Sequence, residues 1–296
     1  MDVGIGLPNA VPGTTGKQLT DFARAADEAG FSTLGTIDRI VYPNFESILS
    51  LAAAAAVTER IRLATSVMLG PLRMNAALVA KQMLTLDAIA GGGRAVLGIG
   101  IGGREDDYAI SGLDMSGRGA WLDAALTEIK RIWAGDGDLE SKVGPRPTGG
   151  GPSLIVGGYV QASFERAARF AEGWIQGGSG PDQFEQDAVN LDAAWQKAGR
   201  EGKPRKMALA YFALGDDAER DARRYLPDYY AWLGEEAVEG IVAGAPKDPD
   251  GIKATLESFE EKGCDELILF PSSGDPAQVE LLADAAGLRS GQPAAA

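Results

Sequence analysis

Short apolar runs alternate along the whole chain with longer stretches whose apolar positions recur at helical spacing, which predicts eight strand–helix units. The first run is Val3-Gly-Ile-Gly-Leu7; Leu19, Phe22, Ala23 and Ala26 then recur on one helical face until Gly30 stops the helix. Thr33–Ile37 predicts a second strand with a helix over Phe45–Val57. Arg62–Val67 predicts a third with a helix over Asn75–Ala90, and Ala95–Ile99 a fourth with a helix from Arg118 to Ala134. Leu154–Val156 and Ala162–Ala171 form the fifth unit, Trp174–Gln176 and Pro181–Ala198 the sixth. Met207–Leu214 is the seventh strand. A polar, aromatic-rich helical stretch from Asp216 to Val242 and a helix over Asp248–Lys262 follow it. Glu266–Phe270 is the eighth strand and Pro276–Ala286 the closing helix. Gly135–Pro152, rich in Gly and Pro, reads as a loop insertion between helix four and strand five.

Strands that alternate with helices imply parallel pairing, and eight such units suggest closure into a (β/α)₈ TIM barrel, although the pattern also admits a doubly wound open sheet. At 296 residues the chain suits one such α/β domain, placed at 1–288, with a disordered tail at 289–296. In a barrel, the loops at the C-terminal ends of the strands carry the site. Here they follow Leu7, Ile37, Val67, Ile99, Val156, Gln176, Leu214 and Phe270.

Charge and rare residues narrow the chemistry. The net charge of −14 and the lack of a basic stripe argue against nucleic acid. The longest apolar run, Ile48–Val57, is too short to cross a bilayer, and no signal-peptide pattern opens the chain. The single cysteine, Cys264, excludes an intrachain disulfide and fits a reducing cytoplasm. With no histidine, Ser–His and Cys–His catalysis and His-based metal sites drop out. Proton transfer is left to a carboxylate, Tyr, Lys, water or a cofactor.

Several loops carry candidate residues. Gly157-Gly158 after strand five and Gly177-Gly-Ser179 after strand six each open a helix. Such turns present backbone N–H groups to a phosphate, with a hydroxyl from Ser163 or Ser179, or they are simply helix-start glycines. Gly100, Ile101 and Gly102, with Asp106 just beyond, follow strand four, where repeated glycines let a flat ring lie against the backbone or form a flexible loop. Asp38-Arg39 follows strand two and either faces the site or forms a solvated rim ion pair. Arg39 stays protonated and is assigned to electrostatic orientation of cofactor or substrate, and Asp38 to holding Arg39 or a polar ring edge. Tyr42, Tyr108, Tyr229, Tyr230 and Trp232 line a pocket or pack in the core.

The sequence resembles the bacterial luciferase-like superfamily of flavin- and deazaflavin-dependent oxidoreductases. The matching stretches are Gly4-Ile-Gly-Leu-Pro8, Ala23 through Phe31, Val57 through Leu63, Ala80-Lys-Gln82 with Leu86-Asp87, and Gly92-Gly-Arg94. They continue through Leu97 to Gly100, Arg118-Gly119 with Asp123, Ile155 to Gly158, Glu172-Gly-Trp174, Phe270-Pro271 and Asp275-Pro276. The resemblance implies a homodimeric barrel that binds FMN or the deazaflavin coenzyme F-420 at its C-terminal face. It also implies a non-prolyl cis peptide at Ser66-Val67, which supports the ring. This sequence departs from the family's pattern twice: Asp38-Arg39 stands where Asp-His is common, and Gly103 stands where some deazaflavin members place a glutamate. The family's acid and base therefore do not transfer.

Three functions are compatible with these residues. The first is deazaflavin-dependent hydride transfer to or from a small organic substrate. It is favoured by Thr65-Ser-Val67, which resembles deazaflavin members, and by an Ala-, Gly- and Arg-rich composition like that of high-GC bacteria. The second is an FMN-dependent monooxygenase served by a partner flavin reductase. The third is a non-catalytic flavin-binding protein.

Overall fold

The computed structural model describes residues 1–147 and 151–288; the expected tail lies outside the described residues. The strands are β1 (Asp2–Gly6), β2 (Thr33–Thr36), β3 (Arg62–Thr65), β4 (Met68–Leu69), β5 (Ala95–Gly100), β6 (Ser153–Gly157), β7 (Gly173–Gln176), β8 (Arg205–Phe212) and β9 (Glu266–Pro271). The helices are α1 (Gly16–Ala29), α2 (Ser47–Ala55), α3 (Ala76–Ile89), α4 (Glu105–Ile110), α5 (Arg118–Ala134), α6 (Gln161–Phe170), α7 (Pro181–Lys197), α8 (Ala218–Tyr230), α9 (Glu235–Gly244), α10 (Pro249–Glu261) and α11 (Ala277–Ala285).

Every strand pair is parallel, and pairing of β3 with β5 closes the sheet into a barrel, which removes the open-sheet alternative. The third strand, expected to run unbroken to Val67, is two pieces. It leaves the ladder at the cis peptide Ser66–Val67 and resumes as β4, whose Met68 and Leu69 pair with Ile99 and Gly100. The six-residue α4 was not expected from the pattern. The Asp216–Val242 stretch divides into α8, a 3₁₀ turn at Ala231–Leu233 and α9, with Gly234 at φ 87° between the last two. The segment 135–152 contains the 3₁₀ turn Glu140–Lys142.

The strands read as apolar because both faces are covered. Leu34, Leu63, Leu97, Trp174, Phe212 and Leu269 pack outward under the helices, while Ala64, Val96, Ile155, Met207, Ile268 and Phe270 fill the barrel. The glycines of β1 serve this filling: a Cβ on Gly6 would lie 2.1 Å from the Phe270 ring. Overpacking of this kind costs about 1–3 kcal/mol, so Gly6→Ala is expected to destabilise the core. At the N-terminal end of the barrel, Arg62 and Arg205 bridge Asp2 and the buried Glu266. That end holds the strands together and leaves the opposite mouth for chemistry.

Candidate active site

The cis peptide carries the chain across the C-terminal mouth. Ser66 N–H donates to Thr36 O at 2.8 Å, and the Ser66 hydroxyl is buried with no hydrogen-bond partner in the described structure. Val67 lies over the glycines of the neighbouring strands. A Cβ on Gly157 would sit 2.9 Å from its Cγ1, and one on Gly100 3.1 Å from its Cγ2. The backbone itself is close at Gly98, where a Cβ would stand 2.0 Å from Thr65 O. Side chains are thus cleared from one wall of the mouth, and Ser66, Val67, Gly100 and Gly157 meet there. Gly102, at φ 70°, turns the chain out of β5 toward α4, with Ile101 beside it.

Asp38 and Arg39 do not pair with each other. The Asp38 carboxylate meets Arg73 at 2.6 Å and accepts from Leu69 N–H at 2.9 Å, tying the loop after β2 to β4. Burial pushes the Asp38 carboxyl above the usual aspartate range, against the pull of Arg73. Arg39 donates from Nε to Asp107 at 2.7 Å, and from Nη2 to Asp106 at 2.9 Å and Val41 O at 2.9 Å. Its side chain is only 4% exposed, so it is no solvated rim pair either. The second oxygen of Asp107 accepts from Ile40 and Val41 N–H, completing a brace between the β2 loop and α4. Asp106 is half-exposed, and its other oxygen takes the Asp107 N–H. Asp107 and Arg73 went unnoticed because their partners lie far along the chain; the adjacent acids at the start of α4 were the available signal.

The two glycine-rich turns are brought together as expected. Tyr159 follows the first and donates from its hydroxyl to Gly177 O in the second at 2.6 Å. Trp174 Nε1 holds Gly158 O at 2.8 Å. Neither the N-cap residue of α6 nor that of α7 caps its helix with a side chain, although Ser163 takes the Val160 N–H at the start of α6 and α7 opens on Pro181, which has no N–H. Ser163 differs from expectation. Its hydroxyl donates back to Val160 O at 2.6 Å and accepts from Val160 N–H at 3.2 Å. A cavity of about 550 Å³ opens beside the second turn, lined by Gly178, Ser179, Gly180, Leu209, Tyr211 and Ile241 among others.

An aromatic group covers the mouth. Arg104, on the loop before α4, lies 4.5 Å from the Tyr229 ring centroid and 4.9 Å from that of Trp232, and donates to Tyr229 O at 2.9 Å. Tyr42 donates to Asp228 at 2.6 Å, and its ring meets Tyr229 edge-on at 5.1 Å. Tyr108 is not part of this group; it is buried and its hydroxyl is turned to Ile101 O. Tyr211 joins from the inward face of β8, where apolar alternation gave no hint of a polar role.

The loops at one mouth of a closed parallel barrel thus present a glycine wall, two apposed glycine-rich turns and an aromatic cover. The luciferase-like monooxygenase family model matches residues 1–285, and the chain belongs to that family of oxidoreductases and monooxygenases. An uncharacterized protein of Mycobacterium tuberculosis is 31% identical over 219 residues, covering 62% of this chain and 75% of that protein. The 5,10-methylenetetrahydromethanopterin reductase of Archaeoglobus fulgidus is 28% identical over 299 residues, covering 91% of this chain and 86% of that protein. An FMNH(2)-dependent dimethylsulfone monooxygenase of Pseudomonas putida is 26% identical over 212 residues, covering 66% and 56%. In fold the chain is similar to an F-420-dependent secondary alcohol dehydrogenase, with a TM-score of 0.80 and 16% identity over 97% of this chain and 99% of that one.

Proposed function

We propose that this protein binds one phosphorylated flavin-type cofactor per barrel and uses the deazaflavin coenzyme F-420 for hydride transfer to or from a small organic substrate. The observation that carries the reading is the pair of clasped glycine turns, each leading into a helix, next to the glycine wall under Val67. The residues present suit such a group. Backbone N–H groups at Gly157, Gly158, Gly177, Gly178 and Ser179 would hold a phosphate in an acidic protein, because local dipoles outweigh a distant field. Ser66, Val67, Gly100, Ile101 and Gly102 would border the ring, with the unpartnered Ser66 hydroxyl available to a polar edge. The cofactor would supply the two-electron chemistry; the protein binds, orients and excludes water. Arg39 and Asp38 serve this site by bracing its rim.

The preference for F-420 over FMN rests on Thr65-Ser-Val67, which resembles deazaflavin members, and on the Ala-, Gly- and Arg-rich composition; in keeping with it, the reductase relative spans 91% of this chain, against 66% for the monooxygenase. Calorimetry of the full chain with F-420 and with FMN tests both. Tighter binding of F-420 without oxygen uptake supports the reading. FMN binding with oxygen consumption on turnover would select the monooxygenase, binding without turnover the non-catalytic flavin-binding protein, and no binding at millimolar concentration would end all three. We further propose a homodimer through α2, α3 and the turn before α3, which expose Leu49, Leu78 and Ile89, and Met74 in that turn.

A further inference from the structure

In a chain without histidine, two hydroxyls meet at the mouth. The Tyr211 hydroxyl lies 2.8 Å from that of Tyr230, at the end of α8. Two hydroxyls own two protons; one fills the bond between them and the other is left for a third acceptor. Tyr211 is 7% exposed and enclosed by Tyr225, Tyr230 and Phe270, with ring centroids 5.7–6.1 Å away. Tyr230 is the member that is only half-buried. Its ring stands between Tyr211, Tyr229 at 4.9 Å and the Arg104 guanidinium at 5.8 Å, so it bridges β8 and the loop before α4 across the mouth. Either hydroxyl can donate in this pair; with Tyr211 donating, Tyr230 as the more exposed member holds the spare proton outermost.

Several neighbouring groups are already committed, the exceptions being the Ser66 hydroxyl and the Arg104 guanidinium, which has no carboxylate partner among the described residues. Asp38 serves Arg73 and Leu69, Asp106 and Asp107 serve Arg39, and the Tyr42 and Tyr159 hydroxyls serve Asp228 and Gly177. Burial raises both phenols above their usual range, so the pair stays neutral. Leu209, Val67 and Phe270 make the nearby wall apolar. A substrate oxygen brought to such a wall loses its water and needs a donor there.

We propose that Tyr230, its proton oriented by Tyr211, is the hydrogen-bond donor that seats a carbonyl or alcohol oxygen of the substrate. This rests on the oxidoreductase reading above and deepens it to a residue that positions the substrate. The test uses the full chain, with and without oxidised F-420, titrated with 4-(dimethylamino)cinnamaldehyde, whose visible band moves to the red when its carbonyl accepts a hydrogen bond. Wild type is expected to show the shift. Tyr230→Phe should lose it and bind the aldehyde about two- to tenfold more weakly, as loss of one neutral hydrogen bond does. Tyr211→Phe should keep a smaller shift, since Tyr230 retains its proton without the polarising neighbour. Calorimetric affinity for F-420 and FMN should be unchanged in both variants. No shift in wild type, an undiminished shift in Tyr230→Phe, or loss of cofactor binding in that variant would each overturn the assignment. If wild type binds neither cofactor yet shows a shift that Tyr230→Phe abolishes, the donor stands and the cofactor reading falls.

Discussion

Arg39→Ala separates a brace from a ligand contact. The Arg39 side chain is 4% exposed and its Asp107 partner 1%, so truncation leaves a buried carboxylate facing no cation. Breaking such a pair costs about 3–5 kcal/mol. The lower end applies, because Asp107 keeps two backbone N–H donors from Ile40 and Val41. At roughly 2.1 cal/mol/K per residue, the 296 residues give an unfolding entropy of about 0.6 kcal/mol/K, so a loss of about 3 kcal/mol lowers Tm by about 5 °C. Calorimetric melting of wild type, Arg39→Ala, Asp107→Asn and the double variant measures this. In the double variant the orphan charge is gone, and its Tm should exceed the value expected from adding the two single losses. Activity should fall in proportion to the loosening of the β2 loop and return in part with Arg39→Lys, which keeps the charge without the fork. If Arg39→Ala melts within 1 °C of wild type while losing activity, Arg39 is a ligand contact and the brace assignment is wrong.

Further outcomes follow from other contacts. Gly157→Ala should weaken cofactor binding by about an order of magnitude in a calorimetric titration, because its Cβ would press Val67 Cγ1 at 2.9 Å; an unchanged Kd would remove Val67 from the ring wall. Burial raises the Asp2 carboxyl, but Arg205 and Arg62 outweigh it and hold the group below its usual value. The stability it contributes is present above the ordinary aspartate range and lost as pH falls through the lowered value. Asp2→Asn should therefore lower Tm at pH 7, with the difference closing in strong acid; a constant difference across pH would contradict this. Arg104→Ala removes a contact worth about 0.5–1 kcal/mol from Trp232, so tryptophan emission should change and proteolysis near 228–234 should quicken. Leu49→Asp with Leu78→Asp, at positions 71% and 50% exposed, should convert a dimer to monomer in sedimentation without lowering Tm of the monomer fold.

Local and periodic features were legible along the chain. The eight strand–helix units, the bounds of α5 at Arg118–Ala134 and the turns at Gly157–Gly158 and Gly177–Ser179 all follow from apolar spacing and glycine placement. Each depends on residues within a few positions of one another. The cis peptide at Ser66–Val67, now seen in place, came from resemblance and not from periodicity. What the tertiary structure decided is which distant groups meet. Asp38 and Arg39 are adjacent in sequence, yet one turns to Arg73 and the other to Asp107, 68 positions away. Tyr211 looks like one more inward residue of a strand until α8 brings Tyr230 to its hydroxyl. Periodicity reports the face a side chain points from. Partners are chosen by barrel closure, which sets the loops after β2, β5, β6 and β8 around one mouth and makes buried charge and hydroxyl groups find each other there.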